Sequence, residues 1–426
     1  MFDRIYGKLY FPSMIRELLD CPGLLRLREV HMSSVPFMSF PSFSSVNRFE
    51  HSLGVCHLAR LASDVLNLSN ADKIELMCAS LYHDVSTPPF AHVTEELMDE
   101  FFGFDHEEHL RSLLVGKTED LGMEKSQVYK GRGLKLLKVI QGEEGRKLGL
   151  DIFRIADMAI GKGKFGPLVK GEIDLDNIDN VIRAATAMGV KSAGGHDAEV
   201  LARSFSISES GISLHESSMA YLEKWQQTRY TLYDMIYGAV EDFSLQTMLK
   251  SAIRLLLNAE NERKLLHLDW RLTDEELIMD RIMNDENAKK IWERISLYKP
   301  YTCIGVFSLS GQGSHSFVKG NLSAIEELVS DILGTRSVAN STLDKRYRSL
   351  TYPLTTFFGK EEKRLDKERA ENTFLFLFSP EKVRHQLELY SELASKLRSI
   401  VPNNINLRTV NRIVDKYPRL AEGSLV

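Results

Sequence analysis

One stretch, Asn47 to His92, restricts this chain more than any other: NRFEHSLGVCHLARLASDVLNLSNADKIELMCASLYHDVSTPPFAH. Within it an apolar helical run ends in an adjacent histidine and aspartate, His83 and Asp84, shortly before the breakers Pro88 and Pro89. In the middle of a helix two neighbouring side chains point in different directions. At a frayed helix end they can converge on one point. His51 lies about one helix-loop-helix earlier. Imidazole nitrogen and carboxylate oxygen together suit a divalent ion of intermediate hardness such as Mn, Fe, Zn or Co. The rest of the chain then reads as scaffold, further ligands and substrate contacts.

The flanking pattern supports helices on both sides. Leu53, Leu58, Leu61 and Val65 form the apolar stripe of a helix over 49–68. Asp72, with Glu75 three residues on, has the spacing of a capping box for the next helix. Ile74, Met77, Cys78 and Leu81 continue it at i, i+3, i+4, i+7. His83 and Asp84 close it.

Composition limits what the chain can be. Its 426 residues are enough for a large core and either two domains or one large domain with an appendage, and 43% apolar with 27% charged residues is ordinary for a soluble globular protein. A net charge of −5 gives no global attraction to nucleic acid or to an anionic membrane. No apolar run approaches the ~20 residues needed to span a bilayer. The first residues, MFDRIYGKLYF, lack the basic-then-apolar order of a signal peptide. Cys21, Cys56, Cys78 and Cys303 are scattered with no CxxC, which predicts reduced, buried thiols in a cytoplasmic protein.

Elsewhere the chain reads as follows. Residues 1–11 suit a short strand or a hairpin around Gly7, and 12–27 an interrupted helical segment. Residues 33–45 are a Ser, Pro and Phe loop suited to a pocket mouth. A helical stretch over 93–115 breaks near Gly103, and 117–150 mixes charged helix and loop. GKGKFGPLVKG at 161–171 is a basic Gly-rich loop. It leads into EIDLDNIDNVIRAA, with Leu175, Ile178, Ile182 and Ala185 as the buried stripe and Asp176, Asn180 and Arg183 towards the surface. Long helices follow over 217–260, then one or two more over 274–295. Character changes near Lys299-Pro300. Strands at 301–311 and 373–378 alternate with helices at 322–334 and 380–399, a small α+β unit. The run at 360–370 is a solvated charged surface. GQGSH at 311–315 suits a hairpin better than a phosphate loop, because neither a Lys-Ser/Thr nor a helix start follows. The expected fold is mainly α: a helical body over 1–298 with a smaller α+β domain over 299–426 for assembly or regulation.

His51, His83, Asp84 and Asp176 supply two imidazoles and two carboxylates, separated by 32 and then 92 residues. Spacing this open is not diagnostic by itself, and a single histidine in a helix is more often a hydrogen-bonded core residue than a ligand. NRFEHSLGV, LYHDVSTPPFAH and EIDLDNID, however, resemble the three blocks of the HD-domain phosphohydrolase superfamily. The resemblance extends over residues 3–255, including RLREV, Phe40-Pro41 and QTRYTLYDMIY at 227–237. It points to the branch of the deoxynucleoside triphosphate triphosphohydrolases with a sterile alpha motif and an HD domain.

That resemblance implies a helical HD core and His51, His83, Asp84 and Asp176 as ligands of one divalent ion, with Mg added to the candidates. It implies Arg48 as a phosphate-binding arginine, whose bland alternative is a surface pair with Glu50. It implies His92 as a second phosphate-facing histidine and His106 as catalytic histidine, with Glu95 orienting the imidazole. It implies Arg229 and Tyr237 on one long helix as contacts for phosphate and sugar, and a dimer or tetramer with a possible nucleotide effector. The departures from the family pattern are specific. Thr87 stands in place of a histidine, Asn177 of a lysine, Asn180 of a substrate-facing tyrosine, Ala184 of an aspartate, and Met32-Ser33 of a Gln-Leu pair. The metal chemistry is kept while triphosphate recognition is remodelled. Lys162, Lys164 or Lys170 could supply the missing charge, but solvated surface lysines are the favoured reading of that loop.

The reading is a nucleotide phosphohydrolase, first a deoxynucleoside triphosphate triphosphohydrolase. The alternatives are a phosphodiesterase, nuclease or nucleotidase with an altered phosphate pocket, and a nucleotide-sensing scaffold without turnover. Nucleic acid is the less favoured partner because the chain is acidic.

Overall fold

The computed structural model describes residues 1–35, 37–116, 135–208, 211–257, 271–346, 351–356, 359–364, 371–383 and 386–410. The mixed segment read from 117 lies outside the described residues as far as 134. So do 258–260, and so do the side chains of the 360–370 charge run.

Asn47 starts the first long helix, Arg48–Val65, by accepting the Glu50 N–H at 2.9 Å. Backbone pairing also pins this helix start. The Arg48 N–H reaches the Val30 carbonyl and the Met32 N–H reaches the Val46 carbonyl, each at 2.9 Å. Ser69, not Asp72, caps the next helix, Asn70–Tyr82, its hydroxyl accepting the Asp72 N–H. The expected capping box is therefore one turn out of place. Asn67 turns the chain in the left-handed region, at φ 49°, and leaves the short Ser69 side chain at the helix mouth. Glu75 is instead fully buried and accepts the Asp151 N–H at 2.8 Å.

These two helices pack as a pair. Ile152–Ala159 packs on the second, while Leu175–Ala187 lies against both Arg48–Val65 and Met219–Gly238. The predicted core positions Leu53, Leu58, Leu61, Ile74, Met77, Cys78, Leu81, Leu175, Ile178, Ile182 and Ala185 are buried. Val65 is not: it is 42% exposed at the last turn of its helix. Arg183, expected near the surface, is wholly buried because its helix is enclosed by those two neighbours. Gly103, at φ 64°, separates His92–Phe102 from His106–Leu114 where the break was expected. All four cysteines are buried, and none is in a disulfide. Among the described residues no helix is long and apolar enough to cross a membrane.

The C-terminal α+β unit is built on a four-stranded antiparallel sheet in the order Asn406–Thr409, Thr302–Ser310, Asn372–Ser379, Val338–Leu343. Helices Ser314–Leu333 and Gln386–Ile400 connect it in the β-α-β-β-α-β manner of a split βαβ fold. Both helices pack on one face of the sheet through Phe307, Leu375, Leu377 and Leu393. GQGSH is not a hairpin. Gly311 and Gly313 turn the chain straight into the Ser314 helix, and Glu371 accepts the N–H groups of Gly313 and His315 at its start.

The sheet's other face carries Val306, Phe374, Phe376 and Phe378 into one core with Phe243, Leu249 and Ile253 of the Val240–Leu257 helix. Phe243 stacks on Phe376 with ring centroids 4.1 Å apart. A second sheet joins Phe205–Ser208 and Gly211–His215 to Thr351–Thr356 and Gly359–Arg364. A division at 298/299, which we propose as one of chain order, therefore cuts across a shared core and a shared sheet. Phe376→Ala should cost about 3–5 kcal/mol. In chemical denaturation it should move a single transition to lower denaturant rather than split off a separate one.

Candidate metal centre

The fold brings the candidate ligands together from three helices. His51 lies on the first turn of Arg48–Val65, His83 caps the end of Asn70–Tyr82 with Asp84 next to it, and Asp176 sits on the first turn of Leu175–Ala187. His51 Nε2 is 3.3 Å from His83 Nε2 and 3.0 Å from Asp176 Oδ1. Asp84 Oδ2 is 3.8 Å from His83 Nε2 and 4.0 Å from His51 Nε2. His51, His83 and Asp176 each offer an atom within 4.8 Å of the others.

The outer nitrogens decide what the inner ones can do. His83 Nδ1 lies 2.8 Å from the Ser80 carbonyl, and His51 Nδ1 lies 2.7 Å from Asp179 Oδ2. Both partners only accept, so Nδ1 carries a hydrogen on each ring and Nε2 is the nitrogen each ring turns to the shared point. Two ring nitrogens and a carboxylate aimed at one point call for a positive charge there, met by a proton on His51 Nε2 or by a bound cation that displaces it. Metal bonds of about 2.0–2.2 Å would put ligand atoms roughly 3–4 Å apart, as observed here. The donor set fits a divalent ion. Burial opposes charge on His51, but hydrogen bonds to Asp176 and Asp179 outweigh it and raise its pKa to about 10. The surrounding field thus favours a cation. Burial would likewise raise Asp84, yet Arg48 and both histidines hold its carboxyl well below the usual range.

Asp179 was not anticipated. It is fully buried and accepts from His51, from Tyr6 at 2.7 Å and from Arg183 at 2.8 and 3.0 Å, and Arg183 also pairs with Asp3 at 2.9 Å. The signal in the sequence was the Asp179/Arg183 pair at i, i+4 beside the apolar stripe. Gly54, one turn beyond His51, permits the approach: a Cβ there would lie 2.0 Å from Asp179 Oδ1.

A cavity of about 260 Å³ opens on this cluster, lined in part by Arg48, His92, Glu95, His106, Glu107 and Lys170. Arg48 does not pair with Glu50; it is buried and donates to Asp84 at 2.7 Å, while Glu50 pairs with Arg4. Glu95 sits between two imidazoles, 2.8 Å from His92 Nδ1 and 3.3 Å from His106 Nδ1. Burial would raise its pKa, but His92, His106 and Arg48 bring it down to about 2. Thr87 is buried and donates to Asp84 at 3.3 Å, and Asn177 donates to Asp174.

Three expected substrate contacts stand elsewhere. Tyr237 is buried against Phe374, with its hydroxyl donating to the Leu343 carbonyl and accepting the Lys345 N–H. Arg229 lies over the Tyr233 and Trp225 rings. Neither of them lines the cavity, nor does the half-buried Asn180. Pairing with the C-terminal sheet claims Tyr237, and ring stacking claims Arg229. The 33–45 loop is tied to Asp242 through the Met38 and Ser39 N–H groups and does not line the cavity.

The segment after His83 is strained. Phe90 and Ala91 have φ of 55° and 47°, conformations that cost about 1–3 kcal/mol each for residues with a side chain. Two buried groups hold it. Arg26 donates to the carbonyls of Val85, Thr87 and Leu272, and Asp274 accepts the Phe90 N–H at 2.7 Å. The other Asp274 oxygen accepts the His31 N–H and His31 Nδ1, each at 2.9 Å. This hydrogen bond raises the His31 pKa against its partial burial. The linked stability is therefore complete below the ordinary value of about 6.5 and is lost as pH rises through the higher folded value. His31→Ala should be most destabilising near pH 5.5 and progressively less so towards pH 9, in denaturation midpoints across pH.

Asp179→Asn should weaken Mn²⁺ binding about 10–100-fold by calorimetry, because it removes the negative charge and one of the two accepting oxygens of the group that holds the His51 ring. Unchanged affinity in a folded variant would remove Asp179 from that role.

Comparison with known proteins agrees with the geometry. Residues 48–157 match the family model described as the HD domain. YwfO of Bacillus subtilis (strain 168), an uncharacterized protein, is 27% identical over 230 residues, covering 53% of this chain and 48% of that one. A homolog of the deoxynucleoside triphosphate triphosphohydrolase SAMHD1 in Dictyostelium discoideum is 24% identical over 261 residues, covering 59% and 48%. The human SAMHD1 is 33% identical over 98 residues, covering 21% and 16%. The chain thus spans about half the length of the first two relatives and less of the third. A crystal structure of a hypothetical protein from Aquifex aeolicus shares the fold at a TM-score of 0.65 and 19% identity, covering 93% of this chain and 99% of that one. The chain thus carries an HD domain within its helical body.

Proposed function

We propose that this protein is a metal-dependent nucleotide phosphohydrolase, with a deoxynucleoside triphosphate as its first candidate substrate. The observation that carries the reading is the pair of facing Nε2 atoms, flanked by Asp84 and Asp176 and bordered by a buried arginine. His51, His83, Asp84 and Asp176 would hold the ion, which when bound supplies Lewis-acid activation of a phosphoryl group and of water. The candidate ions are Mn, Fe, Zn, Co and Mg.

The chain's own residues do the remaining work. Arg48 is fixed by Asp84 at the cavity floor and offers its other guanidinium donors to equatorial phosphoryl oxygens. Glu95 aligns His106 and His92, and His106 serves as general acid to the leaving oxygen. The triphosphate reading draws on the relatives named as triphosphohydrolases. The small cavity, just below the ~300 Å³ of common ligand sites, favours a second reading in which a nucleoside monophosphate or other nucleotide ester is cut. The loss of Asn177 to Asp174 favours the same reading. A homo-oligomer, a nucleotide effector and a cytoplasmic location belong to the proposal as well.

The deciding assay uses dNTPs, nucleoside monophosphates and single-stranded DNA, with Mn²⁺ and with chelator. Turnover should require metal and fall at least 10³-fold in His51→Ala, the order of a lost principal catalytic group. Release of tripolyphosphate would identify the triphosphohydrolase. Tight nucleotide binding without turnover would establish a sensing scaffold instead, and cleavage of DNA alone would establish a nuclease.

A further inference from the structure

We propose that Lys170 is the substrate-phosphate clamp of this site and that Glu107 holds it in reserve; this rests on the phosphohydrolase reading above. Two cationic side chains are found among the described residues lining the cavity, Arg48 and Lys170, and their situations differ. Arg48 is buried and committed to Asp84 at 2.7 Å. Lys170 is half exposed at the mouth and pairs with Glu107, itself half exposed and also lining the cavity. Neither partner of that surface pair is bound to a candidate metal ligand, so exchanging carboxylate for phosphate costs little. A phosphate carries more charge than a carboxylate and offers more acceptor oxygens, which favours the exchange.

The residue that would otherwise do this is spent. Asn177 cannot carry charge, and its amide donates to both Asp174 oxygens, at 2.9 and 3.0 Å. The other lysines of the loop, Lys162 and Lys164, are exposed and do not line the cavity, and Lys164 lies over the Phe165 ring. The chain is fixed just before and just after Lys170. Val169 is buried, and the Gly171 N–H donates to Asp174 at 2.9 Å, so the lysine stem leaves from a rigid point. Glu107 is equally anchored, on a helix capped by Asp105. Release of Lys170 from Glu107 would admit one further anionic group at the mouth while Arg48 keeps the phosphoryl group nearest the metal ligands.

Full-length protein loaded with Mn²⁺ provides the test, in wild type, Lys170→Gln, Glu107→Gln and the loop control Lys164→Gln. Orthophosphate affinity by calorimetry and KM and kcat for the best substrate of the panel are the readouts. Lys170→Gln should weaken orthophosphate about tenfold or more and raise KM more than it lowers kcat, the loss of one charge-assisted hydrogen bond. Glu107→Gln should tighten orthophosphate several-fold, and Lys164→Gln should match wild type. Wild-type affinity in Lys170→Gln would overturn the clamp, as would equal weakening in Glu107→Gln, which would make the pair a structural latch. Absence of turnover in wild type would defeat the phosphohydrolase reading but not the orthophosphate comparison, which still decides for or against Lys170. Failure of wild type to bind orthophosphate would overturn the clamp and leave the phosphohydrolase reading to the turnover assay.

Discussion

The locking of two imidazole rings by their outer nitrogens is the constraint on which this structure turns. A histidine can present either nitrogen, and without a fixed acceptor behind it the ring samples both tautomers. Here the Ser80 carbonyl and the Asp179 carboxylate settle the matter for His83 and His51. The Asp179 anchor is itself costly to bury. It is sustained by Arg183, which Asp3 from the N-terminal hairpin also meets. Breaking one member of such a buried set typically costs about 3–5 kcal/mol, more than the set contributes over an apolar replacement. Its presence is thus better explained by ring orientation than by stability.

The segment following His83 shows the same priority. A relaxed turn would need glycine at the positions of Phe90 and Ala91, yet both carry side chains in the left-handed region. Arg26 and Asp274, drawn from elements far apart in the chain, hold this conformation through backbone contacts. In return, the helix beginning at His92 starts where its first two turns can deliver His92 and Glu95 to the cavity. The strain is local and its compensation is distant.

What the sequence revealed followed from how local each signal is. The helix pair around the His-Asp doublet was legible because stripe, breakers and doublet all fall within one short segment. The second layer was not. Arg183 reads as a surface residue until two flanking helices are seen to enclose it, and Asp179 gains meaning only beside His51, 128 positions away. Ser69 outcompeted Asp72 as a cap because the turn at Asn67 sets the helix start, a backbone effect invisible in residue types. In the C-terminal unit, VANSTL at 338–343 carries too little apolar alternation to declare a strand, and it pairs because Asn372–Ser379 offers a full apolar partner. Tyr237 sat in a familiar motif, but the sheet that claims its hydroxyl comes from a region the motif does not cover.

The parallel pairing of Leu214 with Leu354 also bears on how the chain comes to be folded. Roughly 140 residues separate the two partners, so during synthesis the Gly211–His215 strand emerges long before its neighbour exists. Until then its outer backbone groups are an open edge, able to recruit any extended segment nearby. Long-range closure of this kind slows acquisition of the native state and lengthens exposure to self-association. The helical body would thus pass through its most vulnerable period on the ribosome, waiting for a strand still to be made.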